Sequence, residues 1–254
     1  MTPKPTWTEL LRLQVEAGAD CAIAAAPIDR LARPAAPLPS PPAERPLSLE
    51  APEAIGESGP GLDVQNCGTL AELAAAMEAF EGCALRASAT RLVFADGNPQ
   101  GRLMLIGEAP GREEDRIGRP FVGESGQLLD RMLAAIGLTR KDVYITNIVP
   151  WRPPGNRAPS QEETTACAPF ARRHIELVAP RVVVLLGGVA AGTLLQQSAG
   201  ITRLRGRWFD YLCAGRPIPA MALFHPAYLL RQPALKRETW IDLLEIKEKL
   251  AVLT

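Results

Sequence analysis

No uninterrupted apolar run in the 254 residues reaches the roughly 18 to 20 residues that a membrane-spanning helix needs, so no membrane partner is expected. The N-terminus, MTPKPTWTELLRLQVEAGAD, lacks a basic start followed by an apolar core, which argues against a secretory leader. The five cysteines (Cys21, Cys67, Cys83, Cys167, Cys213) are odd in number and scattered. That pattern argues against a disulfide scaffold and fits a reducing, cytoplasmic setting. Net charge is also missing, with 28 Lys and Arg against 28 Asp and Glu. The balance hides an asymmetry: residues 1–66 carry a net −4, which leaves +4 for the remainder. A mildly basic body is compatible with a polyanionic partner, although so small an excess is common in proteins that bind no nucleic acid. Hydrophobic residues still make up 47% of the chain, too many for a wholly disordered protein. No heptad pattern signals an oligomer, so a monomer is expected.

Residues 27–62 contain no aromatic side chain and are rich in Pro and Ala. Eleven of the 24 prolines fall within residues 1–66, and proline removes backbone donors and biases its neighbours to extended states. The expected organisation is an acidic, mostly disordered arm over 1–66, with a short helix possible near Trp7–Ala19, followed by a folded domain over 67–254. Within that domain, Thr69–Glu72 and Ser160–Glu163 read as capping boxes opening helices to about Gly82 and Ala179. Apolar runs at Leu103–Ile106, Val143–Ile148, Val182–Leu186 and Ile218–Phe224 read as strands. Helices are expected at Glu124–Ile136, Val189–Gln196 and Glu238–Val252. Short, continuously apolar strands separated by helices imply an α/β fold, a parallel sheet covered on both faces. Ligands bind such sheets at the carboxyl ends of the strands.

Each segment after a strand carries chemistry-bearing residues. Gly107-Glu108-Ala109-Pro110-Gly111 follows the first strand as a glycine turn that exposes backbone N–H groups. It lacks the spacing and the terminal Lys-Ser/Thr of a phosphate-binding Walker loop. Phe121 stands in a rigid Pro-Phe-Val-Gly frame, either as a core residue or as a flat wall for a planar ligand. Asn147 ends an apolar run and either bridges backbone groups or reads a ligand edge. Arg152 and Arg157 lie on a Pro/Gly loop that could meet phosphates. His225 sits at a strand end, whereas His174, on a helix, reads as a surface or packing residue.

Four pieces in this order, GEAPGREED (107–115), GRPFVG (118–123), YITNIV…RPP.NRAP (144–159) and HPAYLLR (225–231), resemble the uracil-DNA glycosylase superfamily, most closely its family 4. The resemblance implies a three-layer α/β/α fold with a central four-stranded parallel sheet. It implies excision of uracil from single- or double-stranded DNA by flipping the nucleotide out and hydrolysing its N-glycosidic bond. By that resemblance Gly107, Ala109, Pro110 and Gly111 contact uracil or position water, and Phe121 stacks on the base. Asn147 reads the base edge against cytosine, and His225 stabilises negative charge at the uracil O2. Tyr228, Leu229, Leu230 and Arg231 enter the minor groove, with Leu229 or Leu230 filling the gap left by the base. Glu108 is the first choice for the acidic role, with Glu114 and Asp115 as alternatives; Glu113 to Asp115 also read as a solvated, helix-capping acidic run. Where the best-known family has Asp and Tyr in the first motif, this chain has Ala109 and Gly111, as family 4 does.

Family 4 also implies a [4Fe–4S] cluster on four cysteines. Here Phe80 and Trp151 occupy two of those positions and only Cys83 and Cys167 remain, while the spacing of Cys67 is wrong for a substitute. No cluster and no metal are therefore expected. The segment WRPPGNRAPS has no second histidine of the kind found in a covalent-trapping relative, so ordinary turnover is expected. The competing readings are a homologue that binds uracil-containing or abasic DNA without cutting it, and a small-molecule nucleotide enzyme built on the glycine turn.

Overall fold

The computed structural model describes residues 64–253, and the expected arm with its short helix lies outside the described residues. Val64, in the turn Val64–Asn66, already packs with Leu73, Met77 and Phe170, so the packed body begins before the expected start at Cys67.

The strands are β1 (Asp96–Gly97), β2 (Leu103–Gly107), β3 (Val143–Asn147), β4 (Val182–Leu186), β5 (Trp208–Cys213) and β6 (Arg216–Leu223). The helices are α1 (Leu70–Ala79), α2 (Leu85–Ser88), α3 (Arg112–Ile117), α4 (Glu124–Ala135), α5 (Gln161–Val178), α6 (Gly188–Leu195), α7 (Ile201–Leu204), α8 (Pro226–Arg231) and α9 (Lys236–Val252). One six-stranded sheet runs in the order β1-β3-β2-β4-β6-β5. Its four inner strands pair in parallel, as the apolar runs imply, and its two edge strands are antiparallel.

Every residue of β2, β3 and β4 is buried, which is why β2 and β4 read as unbroken apolar runs and β3 as one broken only by Thr146 and Asn147. Alternation divides them between two cores. Met104, Ile106, Val183 and Leu185 face the layer of α5 and α6, and Leu103, Leu105, Val182 and Val184 face α4, α8 and α9. Each fully buried aliphatic side chain of this kind contributes on the order of 1.5–3 kcal/mol. Of the two expected capping boxes, the one at Ser160 forms. The Ser160 Oγ accepts from the Glu163 N–H at 3.1 Å and Glu163 Oε2 accepts from the Ser160 N–H at 2.7 Å. At α1 only half of the box forms: Thr69 Oγ1 accepts from the Glu72 N–H at 3.2 Å, but the Glu72 carboxylate takes the Gly68 N–H instead of the Thr69 N–H.

Several short elements, β1, α2, α7 and α8 among them, were not in the sequence reading, and two further departures bear on the site and the sheet edge. Strand β5 was not expected; it forms because Ala214 and Gly215, both at positive φ (48° and 78°), close a tight hairpin onto β6. Helix α3 was implied only by the helix-capping reading of Glu113 to Asp115 and was given no bounds, and it changes the fate of that acidic run as described below. Among the described residues no helix is long and apolar enough to cross a membrane.

Candidate active site

The chain order reverses around β2, with β3 on one side and β4 on the other, and the carboxyl ends of the parallel strands β2, β3, β4 and β6 lie at one end of the sheet, where such folds bind ligands. Gly107 ends β2 there. Its carbonyl accepts from the Ile148 N–H at 2.9 Å and the Glu108 carbonyl from the Val149 N–H at 3.0 Å, so the turn is pinned to the continuation of β3. A Cβ on Gly107 would lie 2.6 Å from the Phe121 Cζ and would strike the Asn147 Oδ1. Glycine is what allows the aromatic ring and the amide to close on the strand end together.

Phe121 is 5% exposed and has φ of 55°, a left-handed backbone that a bulky side chain adopts only under external constraint. Its ring lies 5.6 Å from that of His225, tilted by 31°. Asn147 is buried, and its Oδ1 has no hydrogen-bond partner among the described residues. A buried carbonyl acceptor left open in this way is a specific vacancy for an N–H donor on a ligand.

His225 caps α8. Its Nδ1 accepts from the Ala227 N–H at 3.2 Å. Burial holds the imidazole's pKa down to about 4; the Arg231 charge pushes the same way and Glu114 opposes. The ring is therefore neutral at pH 7, and because Nδ1 is an acceptor, the proton sits on Nε2. The site thus presents one fixed N–H donor from His225 and one open acceptor from Asn147, beside the face of Phe121. Glu108 follows Gly107 directly and is half-buried, and burial pushes its carboxyl above the usual range.

The acidic run behaves differently from the solvated reading. Only Glu113 is exposed, paired with Arg116. Glu114 and Asp115 are buried in α3, at 9% and 4% exposure. Glu114 accepts three backbone N–H groups: Gly111 at 3.1 Å, Val122 at 2.9 Å and Gly123 at 2.8 Å. Asp115 accepts from the Thr90 and Arg91 N–H groups and from the Thr90 hydroxyl. Both carboxylates are filled by structural contacts, which leaves Glu108 as the acid with an open side. The Gly111 N–H is likewise occupied by Glu114 and is not free for a ligand. The helix-capping reading of this run holds for Glu114, which takes the Gly111 N–H, but the sequence reading missed its burial and its hold on the Val122 and Gly123 N–H groups.

His174 is a packing residue, 1% exposed, with Nδ1 at 3.0 Å from the Tyr144 hydroxyl. The segment after β6 divides by helix phase. Leu229 is 1% exposed in the core with Phe224 and Leu243, so it cannot enter a duplex without opening that core. Tyr228 and Leu230 are half-buried and Arg231 is exposed, its guanidinium 5.9 Å from the Tyr228 ring centroid. Arg152 bonds Asn156, and Arg157 pairs with Glu163 through both nitrogens, which largely neutralises its charge.

The positions implied for an iron–sulfur cluster are packed with side chains. Trp151 is 2% exposed and stacks on Phe80 at 6.2 Å, and Phe80 meets Phe170 edge-on at 4.9 Å. Cys83 and Cys167 are buried beside them, and the neighbouring Cys167 thiol draws the Cys83 thiol below its ordinary pKa. Among the described residues no group of three or more Cys, His, Asp or Glu converges as metal ligands. Two thiols beside stacked indole and phenyl rings do not fit a four-thiolate cluster.

A parallel α/β sheet whose strand ends hold an aromatic wall, an open amide acceptor and a fixed imidazole donor defines a binding site for a planar, hydrogen-bonding ring. A family model described as the Uracil DNA glycosylase superfamily matches residues 94–244, more than half of the chain. The chain belongs to that superfamily. It is 40% identical over 170 residues to a Type-4 uracil-DNA glycosylase from Archaeoglobus fulgidus, covering 65% of this chain and 85% of that protein. It is 44% identical over 150 residues to a Type-4 uracil-DNA glycosylase from Thermotoga maritima, covering 59% and 77%. A Type-4 uracil-DNA glycosylase from Pyrobaculum aerophilum is 38% identical over 165 residues, covering 63% and 84%.

Proposed function

We propose that the protein excises uracil from DNA, hydrolysing the N-glycosidic bond of deoxyuridine and leaving an abasic site. The observation that carries this reading is the pairing of the open Asn147 Oδ1 with the neutral His225 in one slot against Phe121. Uracil offers an N–H at N3 to the Asn147 oxygen and an acceptor at O4 to the Asn147 amide nitrogen. Cytosine presents an acceptor at N3 and a donor at N4, the reverse pattern, and would leave a buried mismatch at both. Phe121 supplies the stacking surface for a base drawn out of its helix.

Bond cleavage leaves a cation-like sugar and a uracil anion with charge at O2. The Nε2–H of His225 is placed to stabilise that charge without first losing a proton. Glu108 takes the acidic role, orienting water toward C1′ or stabilising the sugar. Ala109 and Pro110 line the turn that presents it. On the DNA side, Leu230 rather than Leu229 fills the gap left by the base, Tyr228 flanks it, and Arg152 and Arg231 meet phosphates. Arg157 acts mainly through Glu163, holding that loop on α5. The enzyme acts on single- or double-stranded DNA, as a monomer in the cytoplasm, and carries no iron–sulfur cluster.

Single-turnover excision on an oligonucleotide with one uracil, using protein whose iron content and visible absorbance are recorded first, tests the reading. Strand scission at the uracil after alkali, by colourless and iron-free protein, is the expected result. Tight binding without scission would replace the glycosylase with a DNA-binding homologue.

A further inference from the structure

We propose that Arg140 is a positioning residue for base recognition, because it fixes the backbone that presents Phe121. The proposal rests on Phe121 being the wall of the uracil slot. Arg140 lies in the short turn Arg140–Asp142 before β3, outside every motif that carries the family resemblance.

A left-handed φ at a phenylalanine persists only where the surroundings over-determine it. Three restraints converge here. Arg140 Nη1 donates to the Pro120 carbonyl at 3.1 Å and Nη2 donates to the Phe121 carbonyl. Gly126 makes room beneath, since a Cβ there would overlap that same carbonyl. The Glu114 carboxylate holds the next two N–H groups, Val122 and Gly123. The peptide planes on both sides of the Phe121 Cα are therefore fixed, the preceding face by Arg140 and the following face by Arg140 and Glu114 together.

The guanidinium is itself oriented. Its Nη1 meets Asp96 Oδ2 at 2.7 Å on β1, and its Nε meets Asp130 Oδ1 at 2.7 Å on α4. Asp96 also takes Arg119 at 2.9 Å, at the residue before Pro120. One planar fork thus ties β1, α4 and the Phe121 loop, a pattern of acceptors that a lysine ammonium cannot reproduce. None of its contacts is to Asn147, His225 or Glu108, so Arg140 acts on the base through Phe121. Without it the Phe121 carbonyl swings free, the residue relaxes toward ordinary φ, and its ring leaves the position against Gly107 and His225.

The test uses the full-length protein with Arg140→Ala and Arg140→Lys. Three quantities are measured: the single-turnover rate on saturating uracil oligonucleotide, the Kd for the same oligonucleotide with a tetrahydrofuran abasic analogue, and the melting temperature. Misplacing a positioning wall by about 1 Å costs on the order of 100-fold, so Arg140→Ala is expected to lose about 30- to 100-fold in rate. Its affinity for the abasic analogue, which presents no base to Phe121, should stay within about 2-fold of wild type. Arg140→Lys, with one donor point instead of a fork, should fall between, about 3- to 10-fold slow. It carries the test if the alanine variant does not fold. A rate within about 2-fold of wild type in both variants, or equal losses in rate and in abasic affinity, overturns the role. Wild-type protein that neither excises nor binds uracil overturns instead the reading of the slot on which the role depends.

Discussion

Replacing Glu114 with alanine removes the acceptor of three backbone N–H groups at once, and the cost follows from the contacts. The Gly111, Val122 and Gly123 N–H groups each donate to a carboxylate oxygen at 2.8–3.1 Å. Hydrogen bonds to a charged partner contribute about 1.5–3 kcal/mol each. Gly111, Val122 and Gly123 are half-buried rather than sealed, so water can reach part of the gap and the low end applies. Three such bonds at the low end total about 4.5 kcal/mol, which in a domain of this size lowers the melting temperature by roughly 9–18 °C. Glu114→Gln sharpens the point. The side-chain oxygen can still serve Val122 and Gly123, but the new NH2 then faces the Gly111 N–H, donor against donor. About half the alanine loss is expected. Thermal melts followed by circular dichroism give the number, and amide exchange at Val122 and Gly123 locates it. An alanine variant that melts within about 2 °C of wild type, with those amides still protected, would refute the brace.

His225→Ala should cut the excision rate by about 100- to 1,000-fold, the range for losing one preorganised donor, while leaving DNA affinity nearly unchanged; equal loss in both would sink its charge-stabilising role. The two histidines also set an acid limit. Burial holds His225 down to about 4 and His174 down to about 3. The unfolded chain takes up both protons near pH 6.5 and the folded chain refuses them, so stability should fall as pH drops from 6.5 toward 4. The loss should reach a few kcal/mol in all, at about 1.4 kcal/mol for each tenfold difference in proton affinity between the two states. His174→Gln removes one of the two sites and should flatten that slope in urea titrations at stepped pH; an unchanged slope would remove His174 from the account. Leu229→Ala should cost about 2–5 kcal/mol as a core truncation and show in the melt. Leu230→Ala should melt near wild type yet slow excision from duplex more than from single-stranded DNA, and equal slowing on both substrates would reject the wedge.

The inner sheet was legible because burial on both faces leaves no reason for a polar residue inside a strand, as in Val182–Leu186. The helix starts were legible from Ser160 and Thr69, whose partners lie three residues on. The slot was legible as a set of loops after strands, because the sheet topology makes those loops neighbours. What escaped depends on the meeting of distant segments. Strand β5 covers an edge, and its sequence WFDYLC mixes faces without a clean alternation; its signal was the Ala-Gly turn. The burial of Glu114 and Asp115 required knowing that the 118–123 loop and Thr90 come back over α3. Leu229 and Leu230 are adjacent and chemically alike, so only the phase of α8 separates core from surface.

The anchoring of the slot has a consequence for how damage is chosen. Gly107 is clamped between Asn147 and Phe121, the Asn147 strand is hydrogen-bonded beside it, and His225 is locked by its own helix. A receptacle this stiff has little shape to adapt, so the deformation falls on the nucleic acid. A uracil must leave its stack before the slot can test it, and the strength of its pairing and stacking then becomes part of the selection. On the proposed function, uracil opposite guanine or on an unpaired strand is expected to be excised faster than uracil held opposite adenine, which single-turnover rates on the three substrates would check. The rigidity of the protein thereby ranks lesions by the weakness of the helix around them.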